Sequence, residues 1–303
     1  MAKQRYRIAY RFSNWAFFCQ RQIDRLYRYI AGHRGKWRIP IGLIIWLYKA
    51  SAFVSAGIGY TVPFLLKRFL TPEDILEVNR LVYIFSEKES HHFASVEYTE
   101  SGLRLQEKKL LSELGLESGR VLVLGCSAGR ECVALARKGF DVTGVDSVEA
   151  FIDAARRYAA QHGLDISYQV QSVARLNFRV RSFDLIMFSI YSLIPDKSLR
   201  KRIMDDLARL LRPGGSMILT FLLFRGTSRV YWRLTRLFQA ITPRFEEGDV
   251  MYGPALAHFF TWDDFLREME DFDWSVAHTT EDSRYGRAVV KPVDRWIRGM
   301  NKR

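Results

Sequence analysis

The chain has 303 residues, 48% of them hydrophobic and 14% aromatic, with a formal net charge of +13. Its length allows one large domain or two modest ones, and its apolar share excludes a disordered chain. The charge is uneven: residues 1–70 hold 13 Lys and Arg and one acid, Asp24, leaving 33 basic and 32 acidic residues for 71–303. A basic segment therefore precedes a neutral body, and net charge alone makes no case for a nucleic-acid enzyme. Three cysteines, Cys19, Cys126 and Cys132, form no disulfide framework and fit a reducing compartment. The opening "MAKQRYRIAYRF" lacks the apolar core and small-residue cleavage site of a secretory signal, so a cytoplasmic location is expected.

The first segment, "KQRYRIAYRFSNWAFFCQRQIDRLYRYIAGHRGKWR", interleaves arginine with tyrosine, tryptophan and phenylalanine. Such a segment suits an anionic headgroup surface. The same mixture could stack on RNA, but the body is neutral and no nucleic-acid module is recognisable, so nucleic acid is the weaker partner. Residues 39–66 then carry a single charge, Lys49. A span needs about 20 largely apolar residues, and 50–66 offers 17 uncharged ones. Three readings stay open: a lipid-inserting or re-entrant helix pair, one span with Lys49 near an interface, and a soluble cap over the body. The expected division is 1–90, helical, basic and apolar, and 91–303, the body.

In the body, "RVLVLG" is apolar without alternation and reads as a buried strand. "RECVALARKG" follows as a helix stopped by Gly139, and "FDVTGVD" is the next strand. A helix over "SVEAFIDAARRYAAQHG" leads to a third strand, "DISYQV", and a fourth is "FDLIMFSI". The helix "KSLRKRIMDDLARLLRPGG" and the strand "SMILTFLLF" continue the rhythm. The βαβ spacing predicts a doubly wound α/β fold with a mostly parallel sheet. After residue 223 the rhythm breaks. Residues 223–260 read as a basic, aromatic insert on the acceptor side, with a helix over about 227–240. "TWDDFLREMEDF" is a helix capped by Thr261, and its acids read as a solvated face. Strands "WSVAHTT" and "GRAVVKP" bring the total to seven.

The turn "GCSAG" between the first strand and helix carries the chemistry. Gly125 and Gly129 allow close approach of the main chain, while Cys126, Ser127 and Ala128 are too small to fill the gap. The following helix would present free N–H groups. About twenty residues on, Asp146 ends the second strand, where a carboxylate can accept both ribose hydroxyls. The spacing is not the dinucleotide G-x-G-x-x-G, and the second half repeats no glycine turn.

Together with "VLVLGCSAGRECVALARKGFDVTGVDSVEAFIDAAR" and "FDLIMFSIYSLIPDKSLRKRIMDDLARLLRPGGSMILTF", these features resemble the class I S-adenosylmethionine-dependent methyltransferases. The resemblance covers roughly 95–292 and includes the terminal helix and strand pair. It implies a seven-stranded Rossmann-like methyltransferase fold, S-adenosylmethionine as cofactor, and methyl transfer as the activity. Gly125, Cys126, Ser127 and Gly129 would line the methionine and ribose parts, Asp146 would take the ribose hydroxyls, and Ser147 or Val148 would lie beside the adenine. Ser172 and Val173 fall at the adenine edge, Ser189 and Ile190 where sulfonium and acceptor meet, and Tyr98 and Arg104 in a covering N-terminal segment. Two positions depart from the family pattern: Val123, where an acid usually helps orient the methionine amine, and Ser172, commonly an Asp.

The catalytic candidates are Tyr191, beyond the fourth strand, and His258, in "LAHFF". Each has a plainer reading, Tyr191 as a wall and His258 as a structural or surface histidine. No metal set is expected, because adjacent His91 and His92 diverge on a helix. Arg225, Arg229, Arg233 and Arg236 share one helical face, either solvated or gripping an acidic acceptor. The leading function is methyl transfer to a small or lipid-linked acceptor, which could be acidic, at the cytoplasmic membrane face. The alternatives are a soluble small-molecule methyltransferase with 1–90 as a lid, and a non-catalytic module binding the cofactor or a nucleotide.

Overall fold

The computed structural model describes residues 67–68, 70–85, 87–194, 196–224, 240–241, 246–252 and 255–293. The apolar stretch 39–66, the basic segment before it, the arginine face and nearly all of the helix expected over 227–240 lie outside the described residues. Contacts divide the chain into two compact units, Met1–Val82 with Thr227–His258, and Tyr83–Gly226 with Phe259–Arg303.

Helix α1 (Pro72–Phe85) begins in the first unit, and there strand β6 (Asp249–Tyr252) pairs antiparallel with the first four residues of β7 (Ala255–Phe260). Asn79 on α1 pins β7: its amide donates to Leu256 O at 2.8 Å and accepts from Leu256 N at 2.9 Å. Buried Lys67 bridges Glu246 at 3.2 Å and Asp249 at 2.5 Å, and Asp249 also bonds the His258 ring at 3.0 Å. Glu246, Asp249 and His258 bring ligand atoms within 4.8 Å of one another. The Lys67 ammonium already supplies positive charge among them.

The second unit holds the sheet. Strands β1 (Arg120–Leu124), β2 (Asp141–Asp146), β3 (Ile166–Val170), β4 (Phe183–Phe188) and β5 (Leu211–Leu223) lie parallel in the order β3-β2-β1-β4-β5. Strands β8 (Trp274–Glu281) and β9 (Tyr285–Pro292) form an antiparallel pair, and β9 runs antiparallel to β5 from Met217 to Leu222. The end of β5 forks: Leu222 and Leu223 also pair, in parallel, with Phe259 and Phe260. Nine strands thus stand among the described residues where seven were expected. The additional two, β6 and β7, fall in the stretch expected as an irregular insert.

Crossover helices follow the apolar pattern. In α5 (Arg130–Ala136) Cys132, Val133 and Leu135 are buried, and in α6 (Glu149–Gln161) Phe151, Ile152, Ala155 and Ala159 are. Helix α7 (Lys197–Leu210) starts where the Asp196 carboxylate accepts from Ser198 N and Leu199 N, and it buries Leu199, Ile203, Met204 and Leu207. Each of the Val, Leu, Ile, Phe and Met side chains among them contributes about 1.5–3 kcal/mol on burial. Helix α8 (Trp262–Asp271) starts as expected, with Thr261 accepting from Asp264 N at 3.1 Å. Its acids are not all solvated. Glu268 is buried and takes two bonds from buried Arg200, both at 2.8 Å, and a third from the Tyr191 hydroxyl. No helix among the described residues is long and apolar enough to cross a membrane.

Candidate active site

The sheet order reverses direction between β1 and β4, and the carboxyl edge at that point is where open α/β sheets bind ligands. Residues 125–129 form the turn there. Gly125 (φ 72°), Ser127 (φ 49°) and Gly129 (φ 95°) all occupy the left-handed region. A Cβ on Gly125 would collide with the Ile190 side chain, and one on Gly129 with the Tyr168 hydroxyl. The glycines are therefore required by the protein's own packing as well as by backbone conformation.

The N–H groups of this turn are spent internally. Gly125 and Cys126 both donate to Val145 O, Ser127 to Asp146 Oδ2 at 3.0 Å, Ala128 to Phe93 O and Gly129 to Cys126 O. A pyrophosphate needs such donors free, so this turn is no phosphate cradle. What it offers is a closed backbone surface and a carboxylate. Asp146, at the end of β2, accepts from Ser127 N through one oxygen and from Val148 N, at 2.9 Å, through the other. Each oxygen keeps a second lone pair, which is what a vicinal diol requires. Burial raises the Asp146 pKa, with the N–H groups of Val148, Ser127 and Ser147 pulling the other way. The same bond positions the turn and the acid together.

A second group of charges lies beside the turn. Helix α4 (Leu105–Glu113) contributes Glu107, whose carboxylate accepts from Arg104 N at 2.7 Å and takes the Arg130 guanidinium at 2.8 and 2.9 Å. Arg130 also donates to Gly102 O at 2.7 Å and to Glu131. Glu131 accepts from the Ser189 hydroxyl at 3.3 Å, just past β4. Tyr98, in the short helix α3 (Val96–Glu100), presents its ring to the Arg130 guanidinium, 5.8 Å from the centroid. Its hydroxyl pKa is pushed up to about 12, first by burial and then by Glu131. Burial and the nearby Glu107 also raise Glu131, while Arg130 opposes them. The sequence reading missed Glu107, Arg130 and Glu131. Its nearest signal was "RE", directly after the second glycine.

The structure brings Gly125, Cys126, Ser127, Gly129, Asp146, Ser147, Val148, Ser189 and Ile190 to this edge. Cys126 is fully buried, and burial with the neighbouring Cys132 drives its thiol pKa well up, so it is a packed, inert group. Ser172 is exposed just past β3 and caps Ala174 N at 3.3 Å, with Val173 buried beside it. Arg104 is turned toward another partner, its guanidinium lying 5.5 Å from the Tyr285 ring centroid. Tyr191 is a correction. It is fully buried, stacks on Phe260 at 5.5 Å, and commits its hydroxyl to Glu268, so it is a wall and not a proton carrier. His258 is also buried, and belongs to the first unit with Asp249. A shallow cavity of about 420 Å³, lined by Lys108, Leu111, Glu117, Lys138 and Phe140 among others, opens instead near the amino ends of β1 and β2 and holds none of these groups.

Known proteins agree with this geometry. Residues 121–215 match the sequence model of the family described as "Methyltransferase domain". The Coxiella burnetii ubiquinone biosynthesis O-methyltransferase is 35% identical over 111 residues, 36% of this chain and 46% of that protein. The Streptomyces halstedii methyltransferase GfsG is 34% identical over 134 residues, 42% of this chain and 46% of that one. The chain thus spans about half the length of the curated relatives it matches. Among solved structures, the Burkholderia thailandensis 1,6-didemethyltoxoflavin-N1-methyltransferase, solved with S-adenosylhomocysteine, aligns over 75% of this chain and 92% of its own, at 18% identity and a TM-score of 0.58. A Methanosarcina mazei S-adenosylmethionine-dependent methyltransferase aligns over 63% and 99%, at 22% identity and a TM-score of 0.53. The glycine turn, Asp146 and β4 all fall inside the segment that matches the methyltransferase-domain model, and the fold is that of these solved S-adenosylmethionine-dependent methyltransferases.

Proposed function

We propose that this chain transfers the methyl group of S-adenosylmethionine to a small or lipid-linked acceptor at the cytoplasmic face of a membrane. One observation carries the cofactor part: the Asp146 carboxylate is bonded to the glycine turn at the sheet's switch point. Asp146 would hold the ribose hydroxyls, Val148 and Val173 would flank the adenine, and Gly125, Ser127, Ser189 and Ile190 would line the remainder. Bound there, the cofactor supplies an activated methyl on a sulfonium, with a neutral thioether as leaving group. The protein has to align the acceptor and exclude water. Ile190 against Gly125 and the closed turn give that edge an apolar wall.

A hydroxyl acceptor, the first to test given the O-methyl chemistry of the curated relatives, must also lose a proton. His258 lies in the first unit, where Asp249 bonds one ring nitrogen, and is given no part in that step. Tyr191 has no such role. Tyr191→Phe should leave turnover within about twofold and cost about 1.5–3 kcal/mol of stability, the worth of a hydrogen bond to a charged group. Initial rates with a thermal melt would check it, and a large rate loss in a stable variant would return Tyr191 to the chemistry.

The membrane part rests on the sequence of 1–70, where 12 of the 13 basic residues precede or follow an apolar stretch that holds the thirteenth, Lys49. Charge would attract the chain to an anionic surface and apolar burial would hold it. The deciding experiment incubates the full chain with methyl-labelled S-adenosylmethionine and separated soluble and lipid extracts. Label in a lipid fraction supports the whole reading. Label only in soluble compounds keeps the methyltransferase and removes the membrane acceptor. Cofactor binding without transfer leaves a binding module.

A further inference from the structure

Beside the glycine turn one buried guanidinium hydrogen-bonds two buried carboxylates: Arg130, Glu107 and Glu131 are 3%, 2% and 2% exposed. Glu107 is fully used, with both oxygens on Arg130 and one also on Arg104 N. Glu131 is not. Its Oε1 accepts from Arg130 and Ser189, while its Oε2 is buried with no partner. Arg130 Nε is a second buried atom with no partner. Adjacent residues thus lack one donor and one acceptor. Leaving such atoms unpaired in a folded chain is costly, and a ligand that pairs them removes the cost.

Position says which ligand. Glu131 sits in the first turn of α5, immediately after the glycine turn, and its bond to Ser189 reaches across to the end of β4. Its carboxylate therefore stands at the switch point between β1 and β4. Strand β1 supplies no acid there, since Val121, Leu122, Val123 and Leu124 are apolar and fully buried. Asp146 lies on the β2 side, tied to Ser127 and Val148. The edge thus presents two acids, one past β2 and one between β1 and β4. S-adenosylmethionine has a diol in its ribose and an ammonium with a carboxylate at its amino-acid end.

We infer that Glu131 receives the ammonium of the cofactor's amino-acid end on Oε2, with Arg130 Nε as the complementary donor for its carboxylate. This rests on the methyltransferase reading and adds to it the residue that recognises the amino-acid part. Burial, and then the nearby Glu107, raise the pKa of Glu131 against the pull of Arg130, as expected of a carboxylate held away from water. No base or nucleophile is implied: Glu131 is a binding residue.

The test compares two ligands on the full chain by titration calorimetry. S-adenosylhomocysteine carries the amino-acid end, and 5′-methylthioadenosine lacks it. Glu131→Gln keeps an acceptor for Arg130 and Ser189 but loses the charge. It should weaken S-adenosylhomocysteine by about 10- to 100-fold, the worth of one charge-assisted bond, and leave methylthioadenosine unchanged. Equal loss of both ligands would show a purely structural role and overturn the inference, as would no loss of either. If Glu131→Gln does not fold, Glu131→Asp gives the same comparison with a shortened carboxylate. Binding of neither ligand by the parent chain would overturn the methyltransferase reading itself.

Discussion

Asp146→Ala removes binding of S-adenosylmethionine, with affinity falling by about 100-fold or more, since two bonds to a charged acceptor are lost together. The same change costs stability. Ser127 N and Val148 N lose their acceptor, and each unpaired buried N–H costs about 1–3 kcal/mol where water cannot replace the carboxylate. Asp146→Asn separates the two effects. Its side-chain oxygen can still accept one backbone bond, so more of the fold's stability returns than of the cofactor affinity. In the parent chain, binding also weakens as pH falls. Burial raises the Asp146 pKa, so the carboxylate gains its proton at a higher pH than a free one does. The protonated acid has lost acceptor capacity for the diol. Calorimetry across pH on folded protein checks both points, and affinity that is unchanged in Asp146→Ala would move the ligand away from this edge.

The largest stability effect is expected at the buried pair of Arg200 on α7 and Glu268 on α8. Glu268→Ala strands the Arg200 guanidinium, which is fully buried with its ring partner Phe260 at 5.3 Å. Removing one partner of a buried pair destabilises by about 3–5 kcal/mol, because the remaining charge is left without water or counterion. Tyr191 loses its acceptor in the same step. The contrast is Arg267→Ala on the same helix, whose bond to Asp264 is exposed on both sides. That change is worth about 0–1 kcal/mol. Denaturant midpoints of the two variants should differ accordingly. A Glu268→Ala chain as stable as the parent would mean that the network is solvated in solution.

Both predictions concern acids, and the sequence was legible for one and misleading for the other. Asp146 stands at the end of an apolar strand, twenty-one positions after Gly125, so a strand–turn–helix pattern places it without knowledge of the fold. Glu268 stands among six acids between 263 and 273, and a helix so rich in charge reads as solvated. Its burial follows from Arg200, 68 residues away in the chain, and no local pattern joins the two. The strands β6 and β7 were hidden for a related reason. Residues 255–258 are all buried, so the polar–apolar alternation of a half-exposed strand is missing. β7 is also held by groups outside its own window, Asn79 on Leu256 and the end of β5 on Phe259 and Phe260.

The sequence alone therefore determined the parallel βαβ core, its glycine turn, the carboxylate at the end of β2 and the cap at Thr261. Each is a short-range pattern set by side-chain period, backbone freedom or capping chemistry. It also placed almost all the excess charge in residues 1–70, which is a matter of counting. Only the tertiary structure decided how polar groups are satisfied. It showed that the turn's N–H groups are spent on the protein itself, that Tyr191 is bound to Glu268, and that Glu131 keeps an unpaired oxygen beside Ser189. The physical reason is that satisfaction of a buried polar atom is a property of the space around it, filled by residues distant in the chain.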